Sequence, residues 1–222
     1  MKIFRTVVVL ILSLSILLTF GCNMTSGLDG KVVDGKNQPI AGVKVIAKQN
    51  QPQLIKGYEQ FESTTGSDGK FTFKNLYSSS DYTLSLWHKD WKTDTTMAVQ
   101  AARKGKTLLK EPLKVLFKVD NDGIITATGT GLQWYYGPDK NTNWNEANSW
   151  VKSLSIGGGG WRLPTRAELK GLYDGGMRLN AWVWSGELNG PSDAWDFNFV
   201  GGGEDCHIYG SGDERAFAVR SR

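Results

Sequence analysis

The side chains best suited to binding a ligand are concentrated in the last fifth of the chain. Between Glu187 and Glu214 the sequence has seven carboxylates and neither lysine nor arginine, with several glycines among them. Calcium prefers six to eight oxygen ligands, and acid-rich loops with glycine can fold around it. The pattern therefore predicts a calcium site, with these four acids as ligands: Asp193, Asp196, Glu204 and Asp205. The alternative is a set of solvated acidic loops over a core containing Trp182, Trp184 and Trp195.

Side chains for catalysis are scarce. The chain has two histidines, His88 and His207, and it lacks the Gly-x-Ser-x-Gly and His-Glu-x-x-His motifs. Cys206 and His207 are neighbours in sequence, a spacing that suits neither a nucleophile–base pair on one face nor a zinc site without other Cys or His ligands. We therefore predict that the protein is not an enzyme and that it needs no cofactor other than calcium. His88, next to Trp87, is expected on a strand surface.

Four consecutive glycines, 157–160, precede Trp161, Arg162, Leu163 and Pro164. A phosphate-binding loop normally ends in Gly-Lys-Ser/Thr, and proline removes one of the backbone donors that would hold the anion. The glycines are instead predicted to let the chain pass close to other backbone, with the Trp and Leu side chains in the core.

The chain beyond residue 116 is predicted to be an α+β domain with two short helices. Asn143 with Glu146, and Thr165 with Glu168, have the spacing of a capping box. Apolar residues at 147, 150, 151 and 154, and at 169, 172 and 173, give each helix one buried face. The segment 120–123 reads as a hairpin turn.

Residues 28–115 have a different pattern, typical of an all-β sandwich. Apolar residues alternate at 43, 45 and 47 and again at 82, 84 and 86, and turn sequences such as Gly66-Ser67-Asp68-Gly69 separate the predicted strands. Helical periodicity is missing here, so two packed sheets are the simplest architecture.

The first 21 residues are predicted to be a signal peptide. Lys2 and Arg5 precede an apolar run over residues 7–18, which is shorter than the roughly 20 residues that span a bilayer. Gly21-Cys22 resembles the lipobox of bacterial lipoproteins, which implies a lipid on Cys22, a tether over 22–27 and a membrane partner. An ordinary secretory signal is the alternative. Asn23, which is not Asp, implies the outer membrane by the same resemblance.

Charge and cysteine content restrict the partners further. Residues 23–119 carry 15 Lys/Arg and 9 Asp/Glu, whereas residues 120–222 carry 9 and 13. The lysines are spread along strand-like segments, so the sequence does not predict a nucleic-acid partner. With Cys22 lipidated, Cys206 has no intrachain partner.

The first half resembles the carboxypeptidase regulatory-like (transthyretin-like) domain. The motifs that carry the resemblance are Pro39–Val45, Thr65–Leu76 and Tyr82–Leu84. Such domains are usually non-catalytic spacers, and the resemblance implies the same role for residues 28–115.

The second half, 116–222, resembles the DUF1566 domain found at the end of the Legionella collagen-like adhesin. The matching motifs are Thr130–Trp134, Trp144–Ala147, Gly160–Leu169, Trp184-Ser185 and Ala218–Arg222. The resemblance implies an α+β fold akin to C-type lectins. Formylglycine-generating enzymes share the broader fold, but they use a cysteine pair that this half lacks.

Lectin-like sites hold sugar hydroxyls with carboxylates and amides above an aromatic ring. That scheme implies a site formed by Glu187, Asn189, Asp193, Trp195, Asp196, Asn198, Glu204 and Asp205. The expected function is an exported, lipid-anchored recognition protein for a surface glycan, with the acidic rim favouring neutral sugars or cations. The alternative is a structural protein that assembles with other envelope proteins.

Overall fold

The computed structural model describes residues 24–50, 55–138 and 140–221, which form two successive β-rich units. The predicted signal peptide 1–21 and Cys22 lie outside the described residues. Within the described part of the chain, no helix is long and apolar enough to cross a membrane.

The first unit consists of eight strands in two sheets. Their bounds are β1 Thr25–Asp34, β2 Lys44–Gln49, β3 Gln60–Thr64, β4 Lys70–Tyr77, β5 Asp81–Trp87, β6 Thr96–Gln100, β7 Lys106–Leu108 and β8 Leu113–Val115. One sheet has the order β4-β1-β7 with β8 also paired to β1, and the other has the order β3-β2-β5-β6. The described residues before 116 contain no helix, so the predicted all-β architecture is confirmed.

The core of this unit lies between the sheets, because alternate residues of each strand point inward. Tyr82, Leu84 and Leu86 of β5 are buried, as their spacing predicted, and they share one core cluster with Leu28 and Phe73. The predicted tether is wrong in part. Residues 25–27 belong to β1, where they pair with β4 and β7, because a strand partner for their backbone is available there.

The second unit has seven strands and two α-helices. Their bounds are β9 Phe117–Val119, β10 Ile125–Ala127, β11 Gln133–Tyr136, α1 Trp144–Ser153, α2 Arg166–Asp174, β12 Trp182–Leu188, β13 Asp193–Asn198, β14 Glu204–Ile208 and β15 Phe217–Arg220. Four strands form a sheet of order β15-β11-β10-β9, and the antiparallel sheet β12-β13-β14 carries most of the predicted ligand residues.

Both predicted helix starts are confirmed. The side chains of Asn143 and Thr165 accept a hydrogen bond from the backbone N–H three residues later. In turn, the side chains of Glu146 and Glu168 accept one from the backbone N–H of the cap residue. These reciprocal bonds satisfy backbone donors that have no partner within the helix. Arg166 is the first residue of α2 and directly follows the cap residue Thr165, so the second capping box also fixes the position of the Arg166 backbone.

The glycine run 157–160 wraps around the guanidinium of Arg220. Nη1 of Arg220 donates to the carbonyl oxygens of Ile156, Gly157 and Gly159 at 3.2, 2.8 and 2.7 Å. All four glycines have positive φ, a conformation that glycine adopts at little cost. The loop presents carbonyls where a phosphate loop would present N–H groups. Trp161 and Leu163 are buried, which confirms that part of the prediction. The predicted close approach to other backbone is wrong, because a Cβ at Gly157 would meet the side chains of Arg220 and Ile124, and one at Gly158 or Gly160 would meet no atom within 4 Å.

The two units contact each other directly. The Gly35 N–H donates to Thr128 Oγ1 at 2.8 Å, and the Thr128 hydroxyl donates in turn to the Val115 carbonyl at 2.5 Å. Lys92 and Val119 also exchange two backbone hydrogen bonds. The predicted boundary near 116 therefore falls at a junction held by hydrogen bonds from both sides.

Candidate functional site

The sheet β12-β13-β14 organises the candidate site into two groups of polar side chains. Its antiparallel register places Trp195 opposite Cys206 and Asp196 opposite Asp205. Successive residues of a strand point to opposite faces, so Trp195 and Asp196 serve different groups. We name them the Arg166 cluster (Arg166, Glu187, Trp195, Glu204) and the His207 cluster (Asp196, His207, Glu214).

The Arg166 cluster is a cation stacked on an aromatic ring between two carboxylates. The guanidinium carbon of Arg166 lies 4.2 Å from the centre of the Trp195 ring. Its Nε donates to Glu187 Oε2 at 2.7 Å, and Nη1 approaches Glu204 Oε2 at 3.3 Å. The hydrogen bond from Arg166 lowers the pKa of Glu187 below its ordinary value, so the pair is charged at neutral pH.

This cluster changes the electrostatics expected from sequence. Residues 187–214 contain no basic residue other than His207, but α2 delivers Arg166 to two of the acids. Asp196 and Glu214 are buried, which removes two more carboxylates from the solvated rim. The surface is therefore less negative than the sequence suggests, and it offers both signs of charge beside a half-buried tryptophan.

The His207 cluster brings together one imidazole and two buried carboxylates. His207 Nδ1 lies 2.5 Å from Asp196 Oδ2 and 3.4 Å from Glu214 Oε1. The side chains of Asp196 and Glu214 are 0% and 2% exposed, whereas that of His207 is 42% exposed. Trp182 packs its ring against the imidazole with centroids 6.0 Å apart. The two carboxylates are thus shielded from solvent, and solvent reaches the cluster from the side of the His207 imidazole.

Burial and mutual contact shift all three pKa values upward. Desolvation raises the pKa of the Asp196 and Glu214 carboxyls, because burial penalises their charged forms. The hydrogen bond to Asp196 raises the pKa of His207, because it favours the imidazolium. Without another cation, the cluster therefore holds protons more strongly than three separate side chains would.

The remaining predicted ligand residues lie in turns and on the rim. The Asn189 backbone N–H donates to the Asp193 carbonyl in the turn between β12 and β13. Asn198 Oδ1 accepts from the N–H groups of Val200 and Gly201, and Asp205 Oδ1 accepts from the Cys206 N–H. Asn198 and Asp205 thus stabilise local backbone.

The predicted calcium ligands do not form one group. Within 24–50, 55–138 and 140–221, the set of three or more Cys, His, Asp or Glu side chains close enough to share an ion is Asp196, His207 and Glu214. Asp193, Glu204 and Asp205 lie outside it, and Glu204 is engaged by Arg166. The correction arises because strand pleating places Asp193 and Glu204 on one face of the sheet and Asp196 and Asp205 on the other. On that second face Asp196 is buried, whereas Asp205 is exposed.

His207 and Glu214 are site residues that the sequence reasoning missed. The adjacency of Cys206 and His207 argues against a shared site, because adjacent strand residues point to opposite faces, but it does not show which carboxylates His207 meets. His207 lies opposite Ala194, two positions from the partner of Asp196, so the imidazole and carboxylate meet diagonally across the strands. Cys206 is a free, half-buried thiol. Of the three candidate core tryptophans, Trp184 is fully buried, and the other two are half-buried.

Comparisons with known proteins bear on the first unit. Residues 27–110 match the carboxypeptidase regulatory-like domain. The match confirms the resemblance drawn from the Pro39–Val45 and Thr65–Leu76 motifs, and this domain is non-catalytic. A DUF3823 family protein from Parabacteroides merdae is a solved structure with 20% sequence identity and a TM-score of 0.32, over 52% of this chain and 61% of that one. The chain thus spans less than two thirds of that protein. No curated protein matches the sequence.

Proposed function

We propose that the protein is a non-enzymatic, lipid-anchored protein of the cell envelope that recognises a surface carbohydrate. In this proposal Cys22 carries the lipid, the carboxypeptidase regulatory-like unit is a spacer, and residues 116–222 form a lectin-like recognition unit. The lipobox-like sequence and the DUF1566-like motifs motivate these assignments. The outer membrane is the proposed location.

The observation that carries the proposal is the Arg166 cluster. Arg166 stacks on the Trp195 ring, and the part of this half-buried indole that Arg166 leaves uncovered provides an apolar surface for the C–H faces of a sugar. Sugar hydroxyls need both donors and acceptors beside it. Arg166 supplies donors, and Glu187 and Glu204 supply acceptors, all within one network on Trp195. One cation between two carboxylates leaves a small negative charge, which favours a neutral glycan over a sulfated one.

A glycan array with the full chain tests this assignment. We expect binding to neutral glycans, and we expect Trp195→Ala to weaken it by about tenfold or more, as removal of a central aromatic contact typically does. Trp87→Ala is the matched control, because Trp87 reaches the surface in the first unit and also has a cation, Lys44, 5.3 Å from the centre of its ring. Binding restricted to sulfated glycans, or equal loss in both variants, would refute the proposal.

A protein partner in an envelope assembly is the second candidate. Leu188 at the end of β12 and Ile208 at the end of β14 both lie beside the start of β13, and they are 54% and 63% exposed, which favours contact with another protein. Crosslinking of the full chain in cells distinguishes the candidates. A stable protein complex that is lost on Ile208→Ser, together with an empty glycan array, would support assembly over carbohydrate recognition.

The anchor has its own test. Cys22→Ser should abolish incorporation of labelled palmitate and release the protein from the membrane fraction, whereas Cys206→Ser should change neither. Unchanged labelling of Cys22→Ser would show that the lipobox-like sequence is an ordinary secretory signal.

A further inference from the structure

Two buried carboxylates facing one imidazole form an incomplete coordination shell. One ligand atom from each of Asp196, His207 and Glu214 lies within 4.8 Å of the other two. Asp196 is fully buried, yet among the described residues its Oδ1 has no hydrogen-bond partner. We propose that the His207 cluster is a binding site for one divalent transition-metal ion, with zinc the expected ion.

The charge balance of the cluster favours an added cation. Burying a carboxylate without a partner is costly, and His207 is the basic group that contacts both Asp196 and Glu214. One imidazolium neutralises only one of the two carboxylates. A divalent ion bound to both carboxylates and to the neutral imidazole neutralises them together, and the His207 proton leaves to solvent. It also gives the unpartnered Asp196 oxygen a position close to positive charge.

The ligand types identify the class of ion. Imidazole nitrogen and carboxylate oxygen are both ligands of zinc and related first-row metals, whereas calcium needs six to eight oxygens. Three protein ligands leave a further position for water or another ligand. Since the His207 side chain is 42% exposed, an ion can reach the cluster from that side.

The surroundings also resemble those of a metal site. Ser211 Oγ donates to Glu214 Oε1 at 2.9 Å, and the Asp213 N–H donates to Glu214 Oε2 at 3.1 Å. Hydrogen bonds of this kind orient a ligating carboxylate and raise the affinity of the site. The bound ion would join β13, β14 and the segment 211–214. This inference does not depend on carbohydrate recognition, because the Arg166 cluster consists of different residues.

Zinc titration of the full chain tests the proposal. The protein, prepared without a histidine tag and stripped with EDTA, is titrated with ZnCl₂ by calorimetry in the presence of a competing chelator. We expect one ion per chain and a dissociation constant raised at least about 100-fold by His207→Gln, since even loss of a residue behind the ligands costs 10- to 100-fold. Ser211→Ala should weaken binding about tenfold. His88→Gln is the matched control, because His88 is the other histidine and stacks on Trp91 in the first unit.

A measurement on the unaltered protein guards against misfolded variants. The zinc K-edge absorption spectrum should show only nitrogen and oxygen neighbours at about 2.0–2.2 Å. Sulfur scattering would place the ion on a cysteine and overturn the proposal. It would also be overturned if zinc failed to bind stoichiometrically, or if His207→Gln, with an unchanged circular dichroism spectrum, bound zinc as tightly as the original chain.

Discussion

Arg220 is expected to be the most important single side chain for the stability of the glycine loop. Its guanidinium holds the carbonyls of Gly157 and Gly159 at 2.8 and 2.7 Å, and its Nε donates to Gln133 Oε1 at 2.8 Å. The loop has no other side chain that could replace these donors, because its residues 157–160 are all glycine. Arg220→Ala should therefore release the whole loop.

The magnitude follows from the contacts that the substitution removes. Three short hydrogen bonds, two of them partly buried and the one to Gly157 exposed, contribute about 1 kcal/mol each. The guanidinium also lies 4.3 Å from the centre of the Trp161 ring, a cation–π contact worth about 1 kcal/mol. Water can reach part of the loop and replace some of the bonds, so we expect Arg220→Ala to lower the free energy of unfolding by about 3 kcal/mol.

Tryptophan fluorescence during urea unfolding measures this loss in the correct unit. Seven of the nine tryptophans lie beyond residue 119, so the fluorescence reports mainly on the second unit. Arg103→Ala, at an exposed position of the first unit, is the control and should change stability by less than about 0.5 kcal/mol. If the two variants unfolded at the same urea concentration, the hydrogen bonds from Arg220 to the loop carbonyls would not stabilise the second unit, and the prediction would be wrong.

Three further substitutions test the local structure. Gly69 and Gly42 both have φ of +73°, but a Cβ at Gly69 would lie 2.6 Å from the Val32 carbonyl oxygen, whereas one at Gly42 would meet no atom within 4 Å. Gly69→Ala should therefore lower the free energy of unfolding by about 1–3 kcal/mol more than Gly42→Ala, measured by urea unfolding followed by circular dichroism. Equal losses would contradict a close approach of the backbone at Gly69. Burial opposes the charged form of Glu168, but its hydrogen bonds with Arg162 and Thr165 prevail and lower its pKa. Glu168→Gln should therefore lower the free energy of unfolding by about 2 kcal/mol at pH 7, and this difference should shrink as the pH falls below 4.5, the ordinary pKa, and through the lower pKa of the folded state. A difference between the two proteins that stays constant in thermal melts across this pH range would show that the charge of Glu168 does not stabilise the fold. Thr128→Val should increase the rate of hydrogen exchange of the Gly35 amide about tenfold or more, because that N–H loses its acceptor. Thr128→Ser keeps a hydroxyl and should preserve the protection. Equal exchange rates in both variants would show that the contact between the two units does not depend on the bond from Gly35 to Thr128.

Local features of the fold were predictable because their signals lie within a few residues of each other. The pairs Asn143–Glu146 and Thr165–Glu168 satisfy each other's backbone at a separation of three residues, which the sequence displays directly. The alternation in β5 and the turn at 120–123 are equally local. The proline after the glycine run likewise excluded a phosphate loop before any contact was known.

The composition of the site could not be read in the same way. Arg166 reaches Glu204 across 38 residues, and the sequence shows only that an arginine follows a helix cap. The acid-rich segment looked like one binding loop. Pleating divides it, with Asp193 and Glu204 on one face of the sheet and Asp196 and Asp205 on the other, so these four acids do not share an ion.

The β-sandwich of the first unit, the positions of both helices and the burial of Trp161 and Leu163 could be read from the residues alone. These features depend on backbone preferences and on apolar periodicity, which act over one or two turns or strands. The contacts of His207 with Asp196 and Glu214, and the stacking of Arg166 on Trp195, arise from the packing of the strands and of α2. Such contacts depend on strand register and on helix placement, and a shift of one residue in register would turn each of these strand side chains to the opposite face.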